Sequence, residues 1–153
     1  MAYDVQLEEI EKRSTMVIRV ETSPNKLGET FAELLPEVSA YLATKGVEPA
    51  GPPLGRFFAY TKDHVDMEAG FPVAAPAEGE GRVRPSELPG GRVAAIWHVG
   101  PYTTIPKAYE AITAWMKEQG LESGGASWEV YWTGPADVAD NSQWRTEIVW
   151  PVG

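Results

Sequence analysis

The spacing of apolar residues changes period several times along the chain, and each change predicts an element. Thr15 to Glu21 carries Val17, Ile18 and Val20, a β-branched run that reads as a strand. From Asn25 to Lys45 the period lengthens, and Leu27, Phe31, Leu34, Leu35, Val38 and Leu42 fall on one stripe of a helix. Pro36 inside that stripe removes a helical hydrogen bond and predicts a kink or a split, and Gly46 is a natural stop. Strands follow at Arg56 to Thr61 and His64 to Pro72. The order then recurs. Arg92 to Val99 is β-rich, and Ile105, Tyr109, Ile112, Trp115 and Met116 form a second helical stripe ending at Gly120. Thr103 or Thr104 is placed to cap that helix, with Pro106 in its first turn. Trp128 to Thr133 and Trp144 to Pro151 complete the pattern.

Local matches support a duplication. Asp66 to Val73 and Arg145 to Val152 share x-x-Glu-x-x-aromatic-Pro-Val at an offset of 79, and Gly46-Val47-Glu48 matches Gly120-Leu121-Glu122 at an offset of 74. At an offset of 72, Phe57-Phe58-Ala59-Tyr60 falls on Glu129-Val130-Tyr131-Trp132. The expected fold is α+β: two pseudo-symmetric βαββ modules, an antiparallel sheet with two helices on one face, and a central ligand cleft. Module one covers about 1–75 and module two about 91–153. The Gly- and Pro-rich linker of about 76–90 contributes a short strand at Gly81 to Leu88, and residues 1–153 make a single domain.

Composition narrows the chemistry. The 153 residues contain no cysteine, which removes disulfides, thiol nucleophiles and Cys-based zinc sites. No apolar run approaches the length of a membrane span, so the chain reads as cytoplasmic with no membrane partner. The net charge of −9 is spread over both halves, with 7 basic against 14 acidic residues through Glu80 and 6 against 8 after it. Direct nucleic-acid binding is therefore disfavoured, and a neutral or cationic ligand is preferred.

Few residues can carry chemistry. Glu147 lies mid-strand on one face with Arg145 and Val149, and Glu68 holds the matching place in module one. A carboxylate enclosed there needs a compensating charge, from an arginine or from a cationic ligand. Six tryptophans accompany these positions. Rings at Phe58, Tyr60, Phe71, Trp97, Tyr109, Tyr131 and Trp132 can wall a pocket for a flat or cationic molecule, or fill the core. His64 and His98 lack partners at metal-ligand or triad spacing, so no metal or cofactor is expected.

His98-Val99-Gly100-Pro101-Tyr102 before a helix carrying Tyr109 and Trp115, then Glu129-Val130-Tyr131 and Thr146-Glu147-Ile148-Val149-Trp150-Pro151-Val152, resembles the GyrI-like small-molecule-binding domain. That module is the effector-binding domain of bacterial transcription activators. The resemblance implies two βαββ modules around a ligand cleft. It also implies a buried glutamate on the last strand, at Glu147, that meets cationic aromatic drugs, and a tyrosine at Tyr131. With no DNA-binding segment, the chain resembles the standalone members. Three functions follow from the resemblance. The first is binding of an aromatic, cationic small molecule, for sequestration, sensing or drug resistance. The second is hydrolysis of cyclopropane rings in toxic DNA-alkylating natural products, with Glu147 positioning water and Tyr131 assisting. The third is inhibition of DNA gyrase as a protein partner.

Overall fold

The computed structural model describes residues 3–135 and 137–153. Its elements are β1 (Val5–Ile10), β2 (Arg13–Thr22), α1 (Leu27–Thr44), β3 (Leu54–Tyr60), β4 (Val65–Pro72), β5 (Val83–Leu88), β6 (Gly91–Val99), α2 (Ile105–Glu118), β7 (Trp128–Thr133) and β8 (Arg145–Pro151). The fold is α+β, with antiparallel strand pairs throughout the described ladders. The chain divides into two units, one of residues 11–90 and one of residues 1–10 with 91–153. No helix among the described residues is long and apolar enough to cross a membrane.

In the unit of residues 11–90, strands run β3-β4-β2-β5, and α1 lays Leu34, Val38 and Leu42 on Met16, Ile18, Met67 and Ala69. In the other, strands run β1-β6-β8-β7, and α2 lays Ile105, Ala108, Ile112 and Met116 on Ala94, Ile96 and Ile148. Each buried Leu, Ile, Val or Met side chain among these contributes about 1.5–3 kcal/mol by leaving water, which outweighs the modest helix propensity of either segment. α1 continues through Pro36 without splitting. Pro36 is on the exposed face, so the carbonyl of Ala32 that loses its donor can turn to water.

The registers place the duplication on a physical footing. Glu68 pairs with Arg19 and Arg56, and Glu147 pairs with Trp97 and Val130. Hence β2 maps on β6 at an offset of 78, β3 on β7 at 74, and β4 on β8 at 79. The drop from 78 to 74 is one helical turn, because α1 has 18 residues and α2 has 14. The offset of 72 read from the sequence is corrected: Phe57 corresponds to Tyr131, and Phe58 and Trp132 are the bulged residues of their strands.

One strand lies outside the predicted set, and one predicted cap differs. Val5–Ile10 is a strand pairing with β6, although its VQLEEI sequence exposes four of six residues and shows no apolar face. It is the counterpart of β5, since Ile10 pairs with Gly91 as Leu88 pairs with Arg13. Thr104 does stand at the N-cap of α2, but its hydroxyl turns back to the Pro101 carbonyl at 2.8 Å instead of capping the helix.

Candidate functional site

The two faces of the β1-β6-β8-β7 sheet carry different chemistry. Thr146 pairs with Tyr131 and His98, and Ile148 with Glu129 and Ile96, so these side chains share the face that α2 covers. Glu147, Trp97, Val130 and Arg145 lie on the opposite face.

Under α2 the sheet encloses a carboxylate. Glu129 is 7% exposed. Its Oε2 accepts from the Tyr109 hydroxyl at 2.7 Å and its Oε1 from the Tyr131 hydroxyl at 2.9 Å. Burial pushes the Glu129 carboxyl above the usual range, and the two hydroxyls pull it part of the way back. No lysine, arginine or histidine among the described residues contributes to that balance. Burial beside Glu129 drives the Tyr131 hydroxyl well above its ordinary value, so it stays a donor. Tyr109 also meets the edge of Trp150, with ring centroids 6.0 Å apart, and Tyr102 lies edge-on to Tyr131 at 5.7 Å. The carboxylate is thus lodged among phenol and indole rings.

Two polar neighbours complete this face. His98 is 2% exposed, with Nδ1 3.0 Å from the Tyr3 hydroxyl and Nε2 2.9 Å from Thr104 Oγ1, so both ring nitrogens are engaged in holding the turn into α2. Thr146 is fully buried, and its hydroxyl has no hydrogen-bond partner among the described residues. An orphaned buried hydroxyl costs about 1–3 kcal/mol. Thr146→Val should therefore stabilise the protein by about 1 kcal/mol, read as a higher denaturation midpoint with an unchanged slope; a lower midpoint would show that the hydroxyl is satisfied.

Within the unit of residues 1–10 and 91–153, the expected site residues fall on two faces of the sheet. Tyr109 and Tyr131 meet at Glu129. Glu147, expected to be enclosed, is only half-buried and receives the Trp132 indole N–H at 3.2 Å on the opposite face. Trp97 and Trp132 are exposed beside it. In the other unit, Glu68 is buried, with the Ser86 hydroxyl 3.0 Å away. Phe58 lies beneath the guanidinium groups of Arg19 and Arg56, at 4.0 and 5.2 Å from its centroid. Phe71 packs against the core under α1, and Tyr60 is 58% exposed.

Glu129 itself was not singled out by the sequence. The repeat points to residues present in both modules, and Glu129 breaks it: its counterpart is Gly55, since Gly55 pairs with Ala69 as Glu129 pairs with Ile148. A signal existed in the strand Trp128-Glu129-Val130-Tyr131, where parity sets Glu129 and Tyr131 together on one face.

Burial raises the Glu68 carboxyl above its usual value, against the pull of Ser86, Arg56 and Arg19. A carboxyl raised in the folded state contributes stability that is full below the unfolded pKa and is lost as pH rises through the folded value. Glu68→Gln should then raise the melting temperature at pH 8 and leave it unchanged near pH 4. An equal rise at both values would contradict the assignment.

The family model described as the GyrI-like small molecule binding domain matches residues 3–153. Comparison with curated proteins gives no match. Among solved structures, the EcmrR C-terminal domain aligns with a TM-score of 0.90 at 21% identity, over 100% of this chain and 99% of that one. Against the EcmrR chain in its DNA complex the TM-score is 0.87 at 21% identity, over 98% of this chain and 57% of that one, so the chain spans little more than half of it. A hydrolase encoded by lin2189 from Listeria innocua aligns with a TM-score of 0.67 at 14% identity, over 98% of this chain and 92% of that one. SAV2435 bound to tetraphenylphosphonium aligns at 0.64 and 12%, over 100% and 94%. At these identities the likeness concerns the fold.

Proposed function

The chain belongs to the GyrI-like small-molecule-binding domain family, and on that basis we propose that it binds an aromatic organic cation whose charge is taken up by Glu129. One observation carries the reading: Glu129 is an enclosed carboxylate held by two tyrosine hydroxyls, with no cationic contribution from the described residues. Elsewhere the same chain supplies arginines: Arg56 and Arg19 both act on buried Glu68. A buried anion without a counter-charge is costly, and a cationic ligand relieves that cost on arrival. The surrounding rings add apolar contact and cation–π attraction. The Glu147 site expected from the sequence is replaced in this reading by Glu129, with Tyr109 and Tyr131 as its hydrogen-bonding partners.

Tetraphenylphosphonium, the molecule bound in the SAV2435 structure, is a suitable probe. Calorimetric titration should give saturable one-site binding of tetraphenylphosphonium, and much weaker binding of neutral triphenylphosphine oxide. Equal affinity for the two would remove charge as the basis of recognition.

A second reading is supported by the same pair. A carboxyl raised by burial, with a tyrosine hydroxyl 2.9 Å away, suits a general base beside a hydrogen-bond donor. It makes the chain a cyclopropane-opening hydrolase, acting through Glu129 instead of Glu147. Conversion of a cyclopropane-bearing substrate that stops in Glu129→Gln separates turnover from binding.

A further inference from the structure

β1 is an edge strand: it pairs with β6 on one side and, among the described residues, with no strand on the other. Alternation fixes which of its main-chain groups face outward. The Arg92 carbonyl accepts from the Val152 amide, so Arg92 turns its main-chain groups toward β8. Val93 and Ala95 therefore turn theirs toward β1, where they meet Glu8 and Gln6. That leaves the N–H and C=O of Val5, Leu7 and Glu9 pointing away from the sheet. Residues 6–9 are all exposed, and Leu7 is 48% exposed.

The other unit closes the same edge. By register, Val83, Pro85 and Glu87 of β5 stand where Val5, Leu7 and Glu9 stand in β1, since Pro85 pairs with Met16 as Leu7 pairs with Ala94. Val83 exchanges both main-chain hydrogen bonds with Glu80, at 3.0 and 3.1 Å. Pro85 has no N–H to offer a further strand. The chain at Gly79 also lies against this edge, because a Cβ there would come within 3.0 Å of Arg84 Cα and 3.1 Å of Pro85 Cδ. Covering and proline are the usual protections of an edge that must stay unpaired. In β1 the place of the proline is taken by an exposed leucine.

Charge selects the occupant. Asp4, Glu8 and Glu9 are acidic, and residues 3–10 include no base. A second copy pairing through β1 would crowd like charges along one short ladder, whereas a strand carrying lysine or arginine meets opposite ones. Val5 packs on the core beneath α2, and Leu7 follows it on the same face, so an apolar guest residue suits the place opposite Leu7. We infer that β1 is a docking edge for an extended, basic segment of a partner protein, added as a further strand with Leu7 at its centre. Main-chain hydrogen bonds to Val5, Leu7 and Glu9 hold the guest, and its alternating side chains give specificity. The edge is independent of Glu129, which lies on β7.

The probe is the blocked peptide acetyl-Lys-Arg-Val-Thr-Val-amide. Antiparallel to β1, it sets lysine and arginine opposite Glu9 and Glu8, and its valines opposite Leu7 and Val5. Titration into ¹⁵N-labelled protein should give saturable shifts of the Val5, Leu7 and Glu9 amide resonances. The same peptide N-methylated at both valines keeps its charge and loses the donors, and should bind about tenfold more weakly or worse. Leu7→Pro copies the proline of β5 at a position whose N–H makes no ladder bond. That variant should fold, as its melting temperature reports, and lose about tenfold or more in affinity. Glu8→Lys combined with Glu9→Lys should weaken binding about three- to tenfold, and should bind tighter to a peptide with two glutamates in place of its Lys-Arg. Absence of saturable shifts, equal binding of the N-methylated peptide, undiminished binding by a folded Leu7→Pro protein, or a chain that dimerises through β1 and ignores the peptide would each overturn the inference.

Discussion

Glu129→Gln is expected to have opposite effects on stability and on binding. At pH 8 the variant should melt at a higher temperature than the parent, while its affinity for tetraphenylphosphonium falls by about 30-fold or more. The first effect follows from burial. Glu129 is 7% exposed and its carboxyl is raised chiefly by desolvation, so above the unfolded pKa folding carries a cost, of enclosing the charge or of taking up a proton, that the amide does not. The Tyr109 and Tyr131 hydroxyls, now donating at 2.7 and 2.9 Å, still meet an acceptor in the amide oxygen, and either can rotate to accept from the amide nitrogen. The second effect follows from the ligand. Removing one partner of an enclosed charge pair costs about 2–5 kcal/mol, and every 1.4 kcal/mol is tenfold in affinity. Thermal melts at pH 8 and pH 4 together with calorimetric titration provide the check. A variant that is destabilised and still binds would mean that Glu129 is a structural hydrogen-bond acceptor and that the cation sits elsewhere.

That opposition explains why part of the site was legible in the sequence and part was not. Helices and core strands announce themselves because burial repeats at a fixed period, as Leu34, Val38 and Leu42 do in α1 and Ile105, Ile112 and Met116 do in α2. The duplication was visible for a similar reason: Glu68 and Glu147 precede aromatic-Pro-Val in equivalent strands, and their registers agree. Equivalence of backbone place does not bring equivalence of surroundings. Glu68 is buried beside Arg56 and Ser86, whereas Glu147 faces Trp97 and Trp132 and is half-buried. The enclosed acid of the second unit comes from a position where the first has Gly55, and nothing periodic or duplicated points to it. β1 was missed because an edge strand is held by its ladder to β6 more than by side-chain burial.

The same divergence between equivalent places predicts the largest loss of stability, at Gly70. Gly70 pairs with Val17 in β4 as Val149 pairs with Ala95 in β8, so the repeat alone suggests that a side chain is welcome there. The backbone contradicts this. A Cβ built on Gly70 would overlap the Met16 carbonyl oxygen and lie 2.8 Å from Val17 Cα, both main-chain atoms of the neighbouring strand. A clash with the end of a flexible side chain can relax by rotation, but here relief requires β2 or β4 to move. β2 pairs with β4 on one side and β5 on the other, and its Met16 and Ile18 lie fully buried under α1, so displacement disturbs the sheet and the core together. Gly70→Ala should cost about 3–5 kcal/mol, lowering the melting temperature by on the order of 10 °C. Gly28→Ala is the control. A Cβ there meets nothing within 4 Å, and in the first turn of α1 alanine should raise stability by about 0.4–1 kcal/mol. Equilibrium denaturation of the two variants beside the parent decides the matter, and a Gly70→Ala protein within about 0.5 kcal/mol of the parent would mean that the close approach of β4 to the β2 main chain is not a feature of the folded protein.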